Sequence, residues 1–190
     1  KDIDVLNENT FGHFVAKSIK FVPPVAGAVL EILREYNVKL EAKNVVIIGK
    51  GRLVGAPVRT IFEMEKSNIT IIDSKTNKKD SDKILQSADI VISGVGIPNL
   101  VKKEHISKQV VLIDAGTSSS NGALIGDICL DCVSEASIIS KTPGGVGPVT
   151  VAILFKNLVL GVSEKCWKQN FYYKDIKKYP SPQAWMFQRH

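Results

Sequence analysis

Val45-Val46-Ile47-Ile48-Gly49-Lys50-Gly51-Arg52-Leu53-Val54-Gly55-Ala56-Pro57 decides the fold. Four β-branched residues in a row, with no polar alternation, read as a strand buried on both faces, as strands of parallel sheets are. From Leu53 to Glu65 the spacing predicts a helix. Pro57 falls in its first turn, where a missing N–H is tolerated. The loop between is a G-x-G-x-x-x-G form of the dinucleotide fingerprint. Gly49 permits a tight turn, Gly51 removes a Cβ from the path of a pyrophosphate, and Gly55 lets helix and strand pack closely. Leu53 and Val54 carry the backbone into the helix, whose N-terminus points N–H groups and partial positive charge at an anion. Lys50 and Arg52 add formal charge. Gly49 to Gly55 is therefore the candidate cofactor-binding stretch. Glycine-rich turns that bind nothing share such a pattern, and the flanking strand, helix and downstream acid are what favour a ligand.

That acid is Asp73, at the end of a second strand over Ile69-Thr70-Ile71-Ile72. An acid about 20 residues past the loop accepts from the ribose 2′-OH of NAD and repels the 2′-phosphate of NADP. Lys50, Ser74 and Lys75 are close enough in sequence to hold such a phosphate, so the cofactor reads as NADP or NAD. Asp73 reads equally as a turn or helix cap. A polar loop over 74–79 leads to a short helix from Ser81 to Ser87. Asp89 to Ile92 is a third strand, closed by Ser93-Gly94-Val95-Gly96, and Val110 to Ile113 a fourth, closed by Asp114-Ala115-Gly116. Upstream, apolar residues from Val25 recur at helical spacing to Tyr36, with Asn37 as the stop. Residues 1–22 show no clear period. Downstream, Ser118-Ser119-Ser120 run into Asn121-Gly122, a hairpin turn, and Leu124-Ile125 form a short extra strand. A further helix follows from Pro148. Alternation of strands and helices gives an α/β fold, a Rossmann-like doubly wound parallel sheet with right-handed crossovers. Ligands of such sheets bind at the carboxyl ends of the strands.

Composition bounds the rest. The 190 residues are 44% hydrophobic and 23% charged, an ordinary globular mix and not a disordered one. A net charge of +6 suits anionic cofactors and substrates. No nucleic-acid-binding motif is present, so nucleic acid is not an expected partner. No apolar run reaches the ~20 residues of a membrane span, and the start at Lys1-Asp2-Ile3-Asp4 is not a signal peptide. A membrane is not expected, and the compartment reads as cytoplasmic. The absence of an initial Met suggests a fragment or a processed chain. Cys129 and Cys132 form a lone C-x-x-C, short of about two ligands for zinc, and read as part-buried thiols; no metal is expected. His13 and His105 are far apart and read as surface or structural residues. The serines at 118–120 have no evident base.

Several segments in the same order resemble the methylenetetrahydrofolate dehydrogenase/cyclohydrolase family. Gly49 to Pro57 is similar to its G-R-S-x-x-V-G-x-P, with Lys50 for Arg and Gly51 for Ser, and Asp73-Ser74-Lys75-Thr76 to its H-S-K-T. Ala88-Asp89-Ile90 through Gly96-Ile97-Pro98 resembles its A-D-I…G-x-P. Ile113-Asp114-Ala115-Gly116 with Gly126-Asp127 resembles I-D-V-G…G-D-V. Thr142-Pro143-Gly144-Gly145-Val146-Gly147-Pro148-Val149-Thr150 resembles P-G-G-V-G-P-M-T, and Lys1-Asp2-Ile3-Asp4 resembles K-D-V-D-G. The resemblance implies NAD(P)-dependent oxidation of 5,10-methylenetetrahydrofolate to the methenyl form and its hydrolysis to 10-formyltetrahydrofolate. It implies tetrahydrofolate derivatives as ligands and a homodimer. Asp4 would contact the pterin, and Pro143, Gly144 and Gly145 would line the folate side. Gly94, Val95, Gly96 and Thr117 would flank the nicotinamide, with Ser74 and Lys50 near the adenosine ribose.

On this resemblance residues 1–36 are a remnant of the folate-binding catalytic domain, and 37–142 the NAD(P)-binding domain. Residues 143–162 would return to the catalytic domain, and 163–190, rich in aromatics and lysine, are a tail expected to be poorly ordered. The departures are as informative. The family's Tyr-x-x-x-Lys precedes its K-D-V-D-G, so no catalytic residue is assigned and this chain alone is expected to turn over little. Val5 stands for the glycine after Asp4, putting a branched side chain where folate approaches. Asp73 stands for His, and Pro23-Pro24-Val25-Ala26-Gly27-Ala28 for P-C-T-P-x-G. Two other readings stay open: a binding module that holds NAD(P) without chemistry, and a different NAD-dependent dehydrogenase.

Overall fold

A computed structural model describes residues 2–120, 122–162 and 187–189. Five helices and eight strands follow in chain order among them: α1 (Glu8–Val15), α2 (Pro24–Glu35), β1 (Asn44–Ile48), α3 (Gly55–Met64), β2 (Asn68–Ile72), α4 (Lys78–Gln86), β3 (Ile90–Ser93), β4 (Val110–Asp114), β5 (Ser118–Ser120), β6 (Ala123–Ile125), β7 (Ala136–Ser140), α5 (Val146–Val162) and β8 (Phe187–Arg189). The main sheet has the order β2-β1-β3-β4-β7-β8, and β5 with β6 forms a separate antiparallel pair. Pairing is parallel from β2 through β7. The order reverses between β1 and β3, which opens the crevice where doubly wound sheets bind ligands.

The apolar run of β1 shows why such strands carry no alternation. Val45 and Ile47 join one buried cluster with Ala28 and Leu33 of α2, Val58 and Phe62 of α3 and Ile153 of α5. Val46 and Ile48 join a second with Leu85 of α4, Val101, Ile106 and Cys132. Helices therefore cover both faces, as the sequence predicts.

Several boundaries move. Asn77 accepts from the backbone N–H of Asp80 at 2.9 Å and starts α4 at Lys78 rather than Ser81. α5 begins at Val146 rather than Pro148. Sequence periodicity does not find α1, although Asn7 caps it by accepting from Asn9 N–H at 2.9 Å. Nor does it find β7, whose central Ile138-Ile139 is too short a run to stand out. Within the stretch read as a poorly ordered tail, Phe187–Arg189 pairs antiparallel with β7 and extends the sheet by one edge strand, which corrects that expectation for these three residues. The rest of that expectation, over 163–186 and at His190, lies outside the described residues, as does Asn121 of the expected hairpin.

Val5 is buried at 3% exposure and packed into the core, where it also lines a small cleft with Leu6, Phe11 and Arg52. Its φ is +58°, the left-handed region that a branched side chain rarely adopts. Burial of the isopropyl group, about 2 kcal/mol, outweighs a strain of roughly 1–2 kcal/mol. Val5→Ala loses the burial and keeps the strain, whereas Val5→Gly loses both. Urea unfolding is expected to show Val5→Gly less destabilised than Val5→Ala, the reverse of the usual order; the usual order would mean that the strain is not there.

Candidate functional site

The glycines of the loop after β1 do three different things. Gly49 has φ +93°, and its N–H donates to the Ile72 carbonyl at 2.8 Å, fixing the turn between the ends of β1 and β2. A Cβ on Gly55 would overlap the Gly49 carbonyl and lie 2.7 Å from Lys50 Cα, so that helix and loop touch backbone to backbone. A Cβ on Gly51 would meet nothing within 4 Å. No contact within the protein demands a glycine there. No side chain caps the N-terminus of α3. Leu53 projects outward at 62% exposure. Val54 is buried and packs against Gly94, where any side chain would overlap it. Its side chain thus locks the β1 loop to the loop after β3.

The two cations of the loop are both engaged. Lys50 Nζ pairs with Asp73 Oδ2 at 2.7 Å. The Arg52 guanidinium donates to the Leu6 carbonyl, tying the N-terminal segment to the loop. Asp73 Oδ1 accepts from Lys75 N–H at 2.9 Å, and Asp73 N–H donates to Thr76 Oγ1 at 3.2 Å. The turn-capping reading of Asp73 is realised, and it coexists with a place at the end of β2. The Lys50 ammonium, and after it the Lys75 amide, holds the Asp73 carboxyl below its usual range. Ser74 follows, exposed, in the same turn.

Beyond β3 and β4 the geometry depends on two acids that the sequence offers only as letters in a motif. Asp127 is fully buried. Its Oδ2 accepts from Ser93 Oγ at 2.7 Å, Val95 N–H at 2.8 Å and Gly96 N–H at 3.3 Å. Asp114, 3% exposed, accepts from the N–H groups of Gly116 at 3.1 Å, Asp127 at 3.2 Å and Ile128 at 3.1 Å, while its own N–H donates to Ser140 Oγ at 2.7 Å. Burial pushes the Asp114 carboxyl up to about 6, against the pull of the Ile128 and Asp127 amides. A Cβ on Gly116 would overlap the Asp127 carboxylate, and one on Gly126 would overlap that of Asp114. Each glycine makes room for the other motif's acid. Gly94, Val95, Gly96 and Thr117 are thus brought together over a clamp of buried carboxylates. The available signal was a pair of acids, each next to a glycine, directly after apolar strands.

Asp4 is exposed. Its segment is tied to α5 by Asn157, which donates from Nδ2 to the Ile3 and Val22 carbonyls, both at 2.8 Å. Pro143, Gly144 and Gly145 lead into the same helix at its other end. Gly144 has φ +101° and open space, whereas a Cβ on Gly145 would sit 2.5 Å from the Lys141 carbonyl oxygen. Away from these loops, Cys132 is fully buried, and burial pushes its thiol up to about 12, far from a reactive thiolate. Ser118 Oγ donates to the Ile125 carbonyl at 3.1 Å. A shallow cleft of about 500 Å³ lies at the opposite end of the sheet, among Arg34, Val38, Lys39, Met64 and their neighbours before β1 and β2. The chemistry-bearing groups lie at the carboxyl ends of the strands, and we place the site there.

The family described as tetrahydrofolate dehydrogenase/cyclohydrolase, NAD(P)-binding domain, matches residues 23–166. A bifunctional protein FolD from Clostridium novyi is 37% identical over 163 residues, 85% of this chain and 58% of the relative. The FolD methylenetetrahydrofolate dehydrogenase/cyclohydrolase of Campylobacter jejuni superposes with a TM-score of 0.79 at 30% identity, over 84% of this chain and 57% of that one. The Trypanosoma brucei enzyme, solved with NADP cofactor and an inhibitor, gives 0.77 at 38% identity over the same shares. This chain therefore spans less than three-fifths of the length of these relatives.

Proposed function

The chain belongs to the tetrahydrofolate dehydrogenase/cyclohydrolase family, and on that premise we propose that it holds NAD or NADP across the switch between β1 and β3, as the nucleotide half of a methylenetetrahydrofolate dehydrogenase/cyclohydrolase. The observation that carries this reading is the loop itself, in which Gly55 is held backbone to backbone against Gly49 and Lys50 at a start of α3 that no side chain caps. The diphosphate would lie over Gly49–Gly55 against the uncapped start of α3. The adenosine ribose would reach Asp73, Ser74 and Lys50, and the nicotinamide would reach Gly94, Val95, Gly96 and Thr117. The site would do the positioning part of hydride transfer: it orients the ring and excludes water from one face.

Asp4, Pro143, Gly144 and Gly145 would face a tetrahydrofolate derivative. α5 exposes Val151, Phe155, Leu158, Val159 and Val162 along one side. That apolar face supports residues 1–36 and 143–162 as the parts that meet a folate-binding domain, with 37–142 as the nucleotide domain. A homodimer and a cytoplasmic location complete the proposal; among the described residues no helix is long and apolar enough to cross a membrane.

Calorimetric titration with NAD and NADP tests the binding. Micromolar affinity for at least one is expected, and no binding of either sinks the reading. Assay with 5,10-methylenetetrahydrofolate then separates a catalyst from a binding module, and for these 190 residues little turnover is expected.

Cofactor choice follows from the Lys50–Asp73 pair. A 2′-phosphate there meets a carboxylate already paired to Lys50, with Lys75 beside it, so NAD is expected to bind more tightly than NADP. Asp73→Ser removes the carboxylate, frees Lys50 for the phosphate and should move the NADP/NAD affinity ratio about tenfold toward NADP. An unchanged ratio would remove Asp73 from the discrimination.

A further inference from the structure

Resting on the dinucleotide reading, we propose that the buried carboxylate of Asp127 biases the bound nicotinamide toward its oxidised form. The oxidised ring carries a positive charge and loses it when it accepts a hydride. Any uncompensated charge fixed near the ring therefore changes the relative affinity of the two forms.

The loops that would flank the ring hang on Asp127 Oδ2 through Ser93 Oγ, Val95 N–H and Gly96 N–H. All three donors are neutral. Asp127 Oδ1 is buried and has no hydrogen-bond partner. Among the described residues no lysine, arginine or histidine pairs with Asp127 or with Asp114. Asp114, whose carboxyl interacts with that of Asp127, has the same sign, and its oxygens accept from the backbone N–H groups of Gly116, Asp127 and Ile128. A carboxylate left without a counter-charge in a poorly solvated place acts over a longer range than one in water. Here the carboxylate lies directly beneath Gly116, where a side chain would overlap it, and Gly116 adjoins Thr117 in the chain. The missing counter-charge is the one the oxidised cofactor brings. Asp127 is thus more than a brace for the loops.

The test is direct titration of the full chain at pH 8 with NAD and with NADH, for the unsubstituted protein, Asp127→Asn and Ser93→Ala. Asparagine keeps an acceptor for the three donors and removes the charge. Asp127→Asn is expected to shift the ratio of NAD to NADH affinity about tenfold toward NADH. Ser93→Ala, which loosens the loop and keeps the charge, should weaken both forms alike. A brace without an electrostatic role would make Asp127→Asn behave like Ser93→Ala, and that result overturns the proposal. Should Asp127→Asn fail to unfold cooperatively, Asp127→Ser is titrated in its place, with the same shift toward NADH expected and an unchanged ratio overturning the proposal. Binding of neither form would remove the dinucleotide reading itself, an outcome distinct from binding with an unchanged ratio.

Discussion

Gly55→Ala is expected to destabilise the chain by about 3 kcal/mol or more and to abolish cofactor binding, whereas Gly51→Ala leaves both stability and binding almost unchanged. The two positions are four residues apart in one loop, and the same added methyl meets opposite surroundings. At Gly55 it would overlap the backbone of Gly49 and Lys50. Backbone at the end of a buried strand cannot step aside as a flexible side chain can, so α3 must lift from β1 or the loop must open. Either change uncovers Val58 and Phe62, both fully buried. At Gly51 the methyl enters open space, and the residue's φ is not positive, so alanine adds no strain. The motif this loop resembles carries serine at that place, so a Cβ there is compatible with a bound diphosphate. Urea unfolding together with NAD titration checks both. Equal effects of the two variants, on stability or on NAD binding, would contradict this division of roles.

The second large effect lies at Asp114. Its carboxylate accepts three backbone N–H groups in a buried position. Asp114→Ala strands all three donors at about 1–3 kcal/mol each. We expect a loss of about 4 kcal/mol or more and poor accumulation of folded protein. The pH dependence is separate and has a definite sign. The folded carboxyl titrates at about 6, above the 3.8 expected when unfolded. Between those values the folded state holds more protons, so this group's contribution falls as pH rises through the window and stays low above it. Lowering the pH from 7.5 to 5 should stabilise the unsubstituted chain by roughly 1–2 kcal/mol relative to Asp114→Asn, which cannot titrate. A difference of opposite sign in urea unfolding at the two pH values would mean that the amides, and not burial, dominate this carboxyl.

How far the sequence reaches is clearest at particular residues. Val45 to Ile48, Gly49 to Gly55 and Asp73 are legible because their message is local. An apolar run, a glycine spacing and an acid at the end of the next strand each report on the few residues around them. Asp127 is not legible in that way. Its partners Ser93, Val95 and Gly96 lie 34, 32 and 31 residues away. In sequence it is an acid beside a glycine, and nothing local says that its carboxylate points inward. Nor is Val5 legible, because nothing local says that a branched residue after Asp4 adopts φ +58° and turns its side chain into the core.

The sequence alone determined the α/β alternation, the phosphate-type loop and the position of the acid beside it, because hydrogen-bonding period and glycine stereochemistry act over one turn or one strand. Only the tertiary structure decided the strand order, the antiparallel edge made by Phe187–Arg189, the pairing of Lys50 with Asp73 and the carboxylate clamp of Asp114 and Asp127. Those depend on which distant surfaces come to share a solvent-free space, and burial of a charge or a hydrogen bond has no local signature in the chain.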